Sequence, residues 1–105
     1  MTKTFEIKNI TTIQSKLLID LTGNNLIIEH IRDTNSFDDE SSIFLTFNIK
    51  ETKKLIDFYR VASIEELFNH IHDHFTTYNS LKRFKDFFDK RNIHSTLSAE
   101  CALVD

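Results

Sequence analysis

The chain of 105 residues contains no proline, no tryptophan, one glycine and one cysteine. The shortage of glycine argues against phosphate-cradling loops and strained nucleophile turns, because both need several residues that tolerate unusual backbone angles. The single cysteine, Cys101, excludes an intramolecular disulfide and indicates a reducing compartment. No apolar run approaches the ~20 residues that span a bilayer, and the first residues lack the apolar core of a signal peptide. These absences predict a cytoplasmic protein with no membrane segment.

The chain does contain enough apolar material for one core. Hydrophobic residues make up 40% of it, and ten residues are Phe, which provide bulky anchors for a small interior. This length suits one domain and is too short for two. We therefore predict a single domain over residues 1–105, in which residues 94–105 form either a flexible tail or an edge strand.

Charge is distributed unevenly along the chain, whose net charge is −3. Residues 20–40 contain six acidic residues and only one basic residue, Arg32. Residues 80–92 contain five basic residues, Lys82, Arg83, Lys85, Lys90 and Arg91, and two acidic ones. The sequence thus predicts a molecule with an acidic first half and a basic late segment.

Alternation of apolar and polar residues predicts strands in the first half of the chain. Residues 4–8 and 42–49 follow this pattern. Residues 26–32 are instead β-branched and apolar, which makes them a natural hairpin partner for the preceding strand. In residues 42–49, Phe44 lies on the second face of the strand, so we expect that face to be partly covered as well.

Residues 11–22 fit two interpretations. One face of a strand would hold Ile13, Leu17, Ile19 and Leu21, and the other Gln14, Lys16 and Asp20; Gly23-Asn24-Asn25 then favours a tight turn. The helical spacing of Ile10, Ile13, Leu17 and Leu21, with Thr11 and Gln14 as a capping pair and Gly23 as a C-cap, favours a helix. We favour the strand and leave the helix as the alternative.

The second half of the chain predicts three helices, each behind an N-cap signal. Asn48 with Glu51 marks the first, Ser63 begins a stronger capping box, and Asn79 or Ser80 caps the third. Apolar residues then recur at helical spacing. These stripes consist of Leu55, Phe58, Tyr59 and Ala62; of Ile64, Leu67, Phe68, Ile71, Phe75 and Tyr78; and of Leu81, Phe84, Phe87 and Phe88. Strands followed by helices predict an α+β fold, in which an antiparallel sheet of three to four N-terminal strands packs against three C-terminal helices.

The three histidines near residue 72 invite a metal-site interpretation, which helical geometry weakens. His70 and His74 share a helix face with Glu66, whereas His72 projects about 160° away from His70. At most two imidazoles and one carboxylate converge, while zinc sites need three or four ligands. We predict no metal and no cofactor, and interpret the histidines as a solvated helix flank whose charge depends on pH.

The sequence offers no catalytic group in a setting that would activate it. Cys101 has no electropositive neighbour fixed beside it in sequence, as a reactive thiol requires. The clustered carboxylates lack the burial and fixed separation that tune acids and bases. We therefore expect a protein that is not an enzyme.

The basic segment 80–92 places cations beside aromatic residues, a combination that can bind nucleic-acid strands. Its Phe residues are explained more simply as a core stripe, and Asp86 and Asp89 lie at pairing distance along the helix. The sequence isoelectric point is about 5.9, whereas nucleic-acid binders tend to be basic. We predict no direct contact with nucleic acid and leave the role of this helix open.

The segment from Asp33 to Glu40 combines length, charge and an aromatic residue without a structural role. Phe37 precedes Asp38 and Asp39 directly, in a connection longer than a tight hairpin needs. An aromatic residue bordered by carboxylates is typical of a contact site for a basic protein surface. The partner-binding residues predicted here are Asp33, Phe37, Asp38, Asp39 and Glu40; the alternative is a plain solvated connection.

Taken as a whole, this small acidic α+β profile resembles bacterial toxin-immunity proteins, especially those of contact-dependent growth inhibition systems. The resemblance is one of overall profile, carried by no motif. It implies a protein that binds and neutralises a cognate basic toxin domain, often a nuclease. The carboxylates of the segment from Asp33 to Glu40 would then stand in for phosphate charges, with Phe37 as the anchor. The same profile is similar to phage anti-CRISPR inhibitors, which is the alternative function, and a small enzyme is a third.

Overall fold

The computed structural model describes residues 1–8, 14–33, 40–78 and 80–101, and these form an α+β fold as predicted. Four strands come first, three helices follow, and a fifth strand closes the described chain. The strands are β1 (Thr2–Lys8), β2 (Gln14–Thr22), β3 (Asn25–Asp33), β4 (Glu40–Phe47) and β5 (Thr96–Cys101); the helices are α1 (Ile49–Tyr59), α2 (Ile64–Tyr78) and α3 (Leu81–Asp89).

The five strands form one antiparallel sheet in which spatial order follows chain order, β1-β2-β3-β4-β5. The prediction of three to four N-terminal strands is confirmed. A fifth strand, which follows the helices in sequence, completes the sheet. Of the two interpretations offered for residues 94–105, the edge strand is correct for Thr96–Cys101. Residues 102–105 lie outside the described residues.

The strand interpretation of residues 11–22 is confirmed for its described part, Gln14–Thr22. The turn that follows explains why. Gly23 has φ 58° and Asn24 has φ 65°, the two positive angles of the hairpin turn whose twist matches its flanking strands. Leu21 is then paired with Leu26 across the hairpin. Residues 11–13 lie outside the described residues.

The helices cover one face of the sheet, where alternate residues of the inner strands form the core. Leu17, Ile28 and Leu45 are fully buried there. His30 is also buried on this face, with its ring packed edge-on against Phe75 at 4.9 Å. The buried apolar residues of the helices that meet the sheet and each other are Leu55, Leu67, Phe68, Ile71, Phe75, Leu81, Phe84 and Phe88.

The predicted N-caps are confirmed. Asn48 Oδ1 accepts a hydrogen bond from the Glu51 amide at 2.9 Å, and Ser63 Oγ accepts one from the Glu66 amide at 3.2 Å. Ser80 caps α3 by accepting from the Arg83 amide. The Glu51 carboxylate does not complete a local capping pair; instead it accepts from the distant His94 amide at 2.9 Å.

The first helix ends earlier than its apolar stripe predicts. Arg60 adopts a left-handed conformation, φ 53°, and its amide donates to Ile56 O, which terminates α1 at Tyr59. Ala62, predicted to continue the stripe, lies beyond the helix and is exposed. Phe58 belongs to the helix but is 41% exposed, so it lies at the margin of the core. No helix in the described part of the chain is long and apolar enough to cross a membrane.

Candidate partner-binding surface

The acidic segment begins and ends on two inner strands of the sheet. Asp33 is the last residue of β3, Glu40 is the first residue of β4, and the two are register partners. Phe37, Asp38 and Asp39 lie in residues 34–39, outside the described residues, so their part in partner binding stays a prediction. The fold thus brings the two ends of the segment together at one end of the sheet.

The sheet face opposite the helices carries four half-buried apolar side chains around one carboxylate. Leu18 and Phe44 are the register partners of Glu29 on either side, and Ile27 and Ile31 lie two positions before and after it on β3. Residues two apart on a strand lie on the same face. We call these five residues the open face, because no described helix or strand packs against them. Phe44 itself is half-buried, and the expectation that its face is partly covered stays a prediction.

Glu29 occupies the centre of the open face and is half-buried. Among the described side chains, none forms an ion pair or a hydrogen bond with its carboxylate. Its register partners, and the residues two positions before and after it on β3, are all apolar. An incoming arginine or lysine would find an unpaired carboxylate surrounded by apolar contact area, which is how strong interface positions are built.

Asp20 adds a second fixed carboxylate on the same side of the sheet, opposite Ile27 in the register. It accepts hydrogen bonds from the hydroxyls of Thr2 at 2.6 Å and Thr22 at 2.8 Å. These two bonds hold the pKa of Asp20 below its ordinary value, so the carboxylate stays charged.

Acidic residues are segregated within the sheet. On the sheet face that includes the open face, the strand positions hold six acidic residues and two basic ones. The alternate strand positions, which lie on the face covered by the helices, hold no acidic residue. The six acidic residues are Glu6, Asp20, Glu29, Asp33, Glu40 and Glu100, and the two basic ones are Lys8 and Lys16. The ends of the acidic segment therefore belong to a larger acidic array rather than to an isolated loop.

The histidines take structural positions on both sides of α2. His70 stacks on the Tyr59 ring at 5.4 Å, and Tyr59 Oη is 2.8 Å from Nδ1 of His74, so these two share a face as predicted. His72 lies on another side, where it stacks on Phe5 at 4.3 Å. In the described ranges, no group of three or more His, Cys, Asp or Glu residues is placed to hold a metal ion.

His74 is not part of a solvated flank, which corrects the prediction for that residue. Its ring packs edge-on against Phe87 at 4.5 Å and also contacts Phe84 and Phe88. Burial, with a smaller contribution from Arg91, holds the pKa of His74 below its ordinary value. Burial likewise raises the pKa of Tyr59. This pair is therefore neutral and hydrogen-bonded at neutral pH.

The basic helix combines a core stripe with an exposed cationic side. Phe84 and Phe88 are fully buried, as the core interpretation predicted. Lys85 pairs with Asp89 at 2.6 Å, whereas Asp86 forms no ion pair with any described residue. Cys101, considered in sequence as a nucleophile, ends β5 opposite Ser41.

Two arrangements escaped prediction because they depend on tertiary structure. One is the open face, whose centre requires the register of three strands. The other is an open cleft of about 530 Å³ at the end of α2 and along α3, which we call the α2–α3 cleft. Its lining comprises Tyr78, Arg83, Asp86, Phe87, Lys90 and Arg91. The sequence signal for this cleft was that Asp86, Phe87 and Lys90 follow Arg83 by three, four and seven residues, which places them on one side of a helix.

Comparisons with protein-family models, with curated proteins and with solved structures found no match. A proposal for function therefore depends on the geometry and charge of this chain alone.

Proposed function

We propose that this protein binds and neutralises a basic toxin domain, in the manner of the toxin-immunity proteins that its overall profile resembles. The contact surface would be the open face together with the acidic segment from Asp33 to Glu40. A basic nuclease domain is the preferred class of target, because a nuclease needs a cationic surface to attract phosphates.

The observation that carries the proposal is the environment of Glu29. Its carboxylate is half-buried among four apolar residues and has no cationic partner among the described side chains. Hydrogen bonds to charged groups contribute more than neutral ones, ~1.5–3 kcal/mol, when water is displaced around them. A partner cation seated here would gain that interaction, while Leu18 and Phe44 would supply apolar contact beside it.

The surrounding charge supports the same choice of partner. The acidic array of the sheet gives this face a field that attracts cationic surfaces and speeds their association. The acidic segment extends the array from the ends of β3 and β4, and Phe37 would provide an aromatic anchor there. A neutral partner would gain nothing from this distribution, and an acidic partner would be repelled at Glu29.

The first experiment compares capture and protection by matched charge-reversal variants. The tagged chain, its Glu29→Lys variant and its Asp57→Lys variant are used as baits in lysate of the native host, and bound proteins are identified by mass spectrometry. Asp57 is an exposed carboxylate in α1 of the helical layer, so its reversal changes net charge equally without touching the open face. The captured protein is then expressed in cells alone and together with each variant.

The proposal predicts a captured protein that is basic, arrests growth when expressed alone, and is neutralised by the wild type and by Asp57→Lys but not by Glu29→Lys. Association rates measured with purified proteins should fall steeply as salt rises. Equal protection by wild type and Glu29→Lys, with circular dichroism showing both folded, would refute the open face as the contact surface. Capture of a partner that leaves growth unaffected would refute the toxin assignment.

A further inference from the structure

We infer that the α2–α3 cleft binds a nucleotide, a ligand that combines a planar ring, a hydroxylated sugar and a phosphate. This site is separate from the open face and does not depend on the proposed function. Its volume of about 530 Å³ falls within the ~300–1,000 Å³ of small-molecule sites. The three kinds of group that such a ligand needs are present together in the cleft.

Cations provide the phosphate-binding part of the cleft. Arg83, Lys90 and Arg91 line it, and none of them pairs with a carboxylate of the described residues. Arg83 of α3 and Lys90, the C-cap residue of that helix, lie seven positions apart, which is two helical turns along the same side. Free cations that border a concave aromatic surface are suited to an anion, even though the chain as a whole is acidic.

Arg91 provides a planar guanidinium on which a base can stack. Its guanidinium lies 3.6 Å from the centre of the Phe87 ring, and Nη1 donates a hydrogen bond to Phe87 O at 2.9 Å. One face of the guanidinium is thus held against the ring, which leaves the opposite plane for stacking. Nucleic-acid bases stack on arginine planes as well as on aromatic rings. The Tyr78 ring, 5.8 Å from that of Phe87, forms a second aromatic wall.

Asp86 favours a ligand that carries hydroxyl groups as well as a phosphate. It lies between Arg83 and Lys90 on α3, lines the cleft, and forms no ion pair with the described residues. A carboxylate repels a bare phosphate, but it accepts hydrogen bonds from sugar hydroxyls, as acidic residues do in dinucleotide sites. Among anions, a nucleotide is the class that satisfies all the groups lining the cleft.

The test is a nuclear magnetic resonance titration of the ¹⁵N-labelled chain with four probes: AMP, adenosine, inorganic phosphate and a short oligouridylate. We expect AMP to shift the α3 amide resonances and to bind about tenfold more tightly than adenosine or phosphate. If the oligouridylate binds more tightly than AMP, the natural ligand is a single nucleic-acid strand. If AMP binds more tightly than the oligouridylate, the natural ligand is a free nucleotide. Either result supports a nucleotide site.

Four variants separate this site from general charge attraction. Arg91→Lys keeps the charge but removes the plane, so AMP affinity should fall about tenfold while phosphate affinity is unchanged. Asp86→Asn should weaken AMP binding, and Arg83→Ala should weaken both AMP and phosphate. Lys53→Ala, at an exposed position of α1, removes a cation elsewhere and should change neither.

Three results would overturn the inference. They are the absence of α3 shifts at millimolar AMP, equal affinity for AMP and phosphate, and tighter AMP binding by Asp86→Asn. The last two would mean that the cleft selects charge alone.

Discussion

Replacement of Glu51 should loosen the connection between the helical layer and β5. The Glu51 carboxylate is mostly buried and accepts hydrogen bonds from the His94 amide at 2.9 Å and from Lys54 Nζ at 3.2 Å. His94 lies two residues before β5 begins at Thr96. Glu51→Ala therefore removes the acceptor that holds the approach to this strand.

The expected magnitude follows from these contacts. A hydrogen bond to a charged acceptor contributes about 1.5–3 kcal/mol, and an acidic residue in the first turn of a helix about 0.3–1 kcal/mol. The partly exposed Lys54 pair adds only about 0.3–0.5 kcal/mol. Glu51→Ala should thus lower the free energy of unfolding by about 2–4 kcal/mol, and Glu51→Gln, which keeps one oxygen, by about 1 kcal/mol.

The effect should also depend on pH in a defined direction. The His94 amide, and secondly Lys54, hold the pKa of Glu51 below its ordinary value. A carboxyl whose pKa is depressed by folding contributes its full stabilisation above the unfolded value, ~4.3, and loses it as the pH falls through the folded value. The difference between wild type and Glu51→Gln should therefore be full at pH 7 and shrink below about pH 4.

Urea denaturation followed by circular dichroism measures these differences, and hydrogen exchange locates them. In Glu51→Ala, amides of β5 should exchange faster than those of β2 and β3. Glu65→Gln is the matched control, because Glu65 is an exposed acidic residue in the first turn of α2. A Glu51→Ala variant within about 0.5 kcal/mol of wild type at pH 7, or one whose β5 amides stay protected, would refute the reasoning.

Three further predictions concern the core and the hairpin turn. Because burial depresses the pKa of His74, its protonation opposes folding, so wild-type stability should fall from about pH 7 to 5 and His74→Gln should flatten that slope in urea titrations. Gly23→Ala should cost about 1 kcal/mol through its positive φ alone, since a Cβ meets no atom within 4 Å, and Gly23→Asn should cost less in the same assay; equal costs would contradict this. Phe88→Ala should lower the unfolding free energy by about 3–5 kcal/mol in calorimetry, and a loss under 1 kcal/mol would show that the ring is not in the core.

Local patterns were sufficient for the elements whose determinants are local. Strand alternation, the Gly23-Asn24 turn and the caps at Asn48, Ser63 and Ser80 act over a few residues, so the order of strands and helices could be read directly. The end of α1 could not be predicted in this way, because Arg60 adopts a left-handed conformation at a position where a glycine usually stands.

Features that depend on distant pairing were out of reach. β5 contains one large apolar residue, Leu97, and its partner strand lies across three helices, so its pairing has no local signature. The sequence predicts His74 on a solvated flank, whereas aromatic residues of α1 and α3 contact its ring. The open face needed the registers of β2, β3 and β4 together, since Leu18 and Phe44 meet Glu29 only across strands.

The position of β5 makes the two edges of the sheet unequal. β1 through β4 pair with chain neighbours, but Thr46 of β4 pairs with Thr96 of β5, across a connection that contains the three described helices. Closing such a loop costs about 2 kcal/mol more chain entropy than closing a tight hairpin. Packing of the helices shortens this loop, so we expect pairing of β5 to depend on the helical layer, whereas the β2–β3 hairpin closes through a short turn. The β1 edge of the sheet therefore forms from strands that are neighbours in sequence. The β5 edge forms only when the rest of the domain is folded.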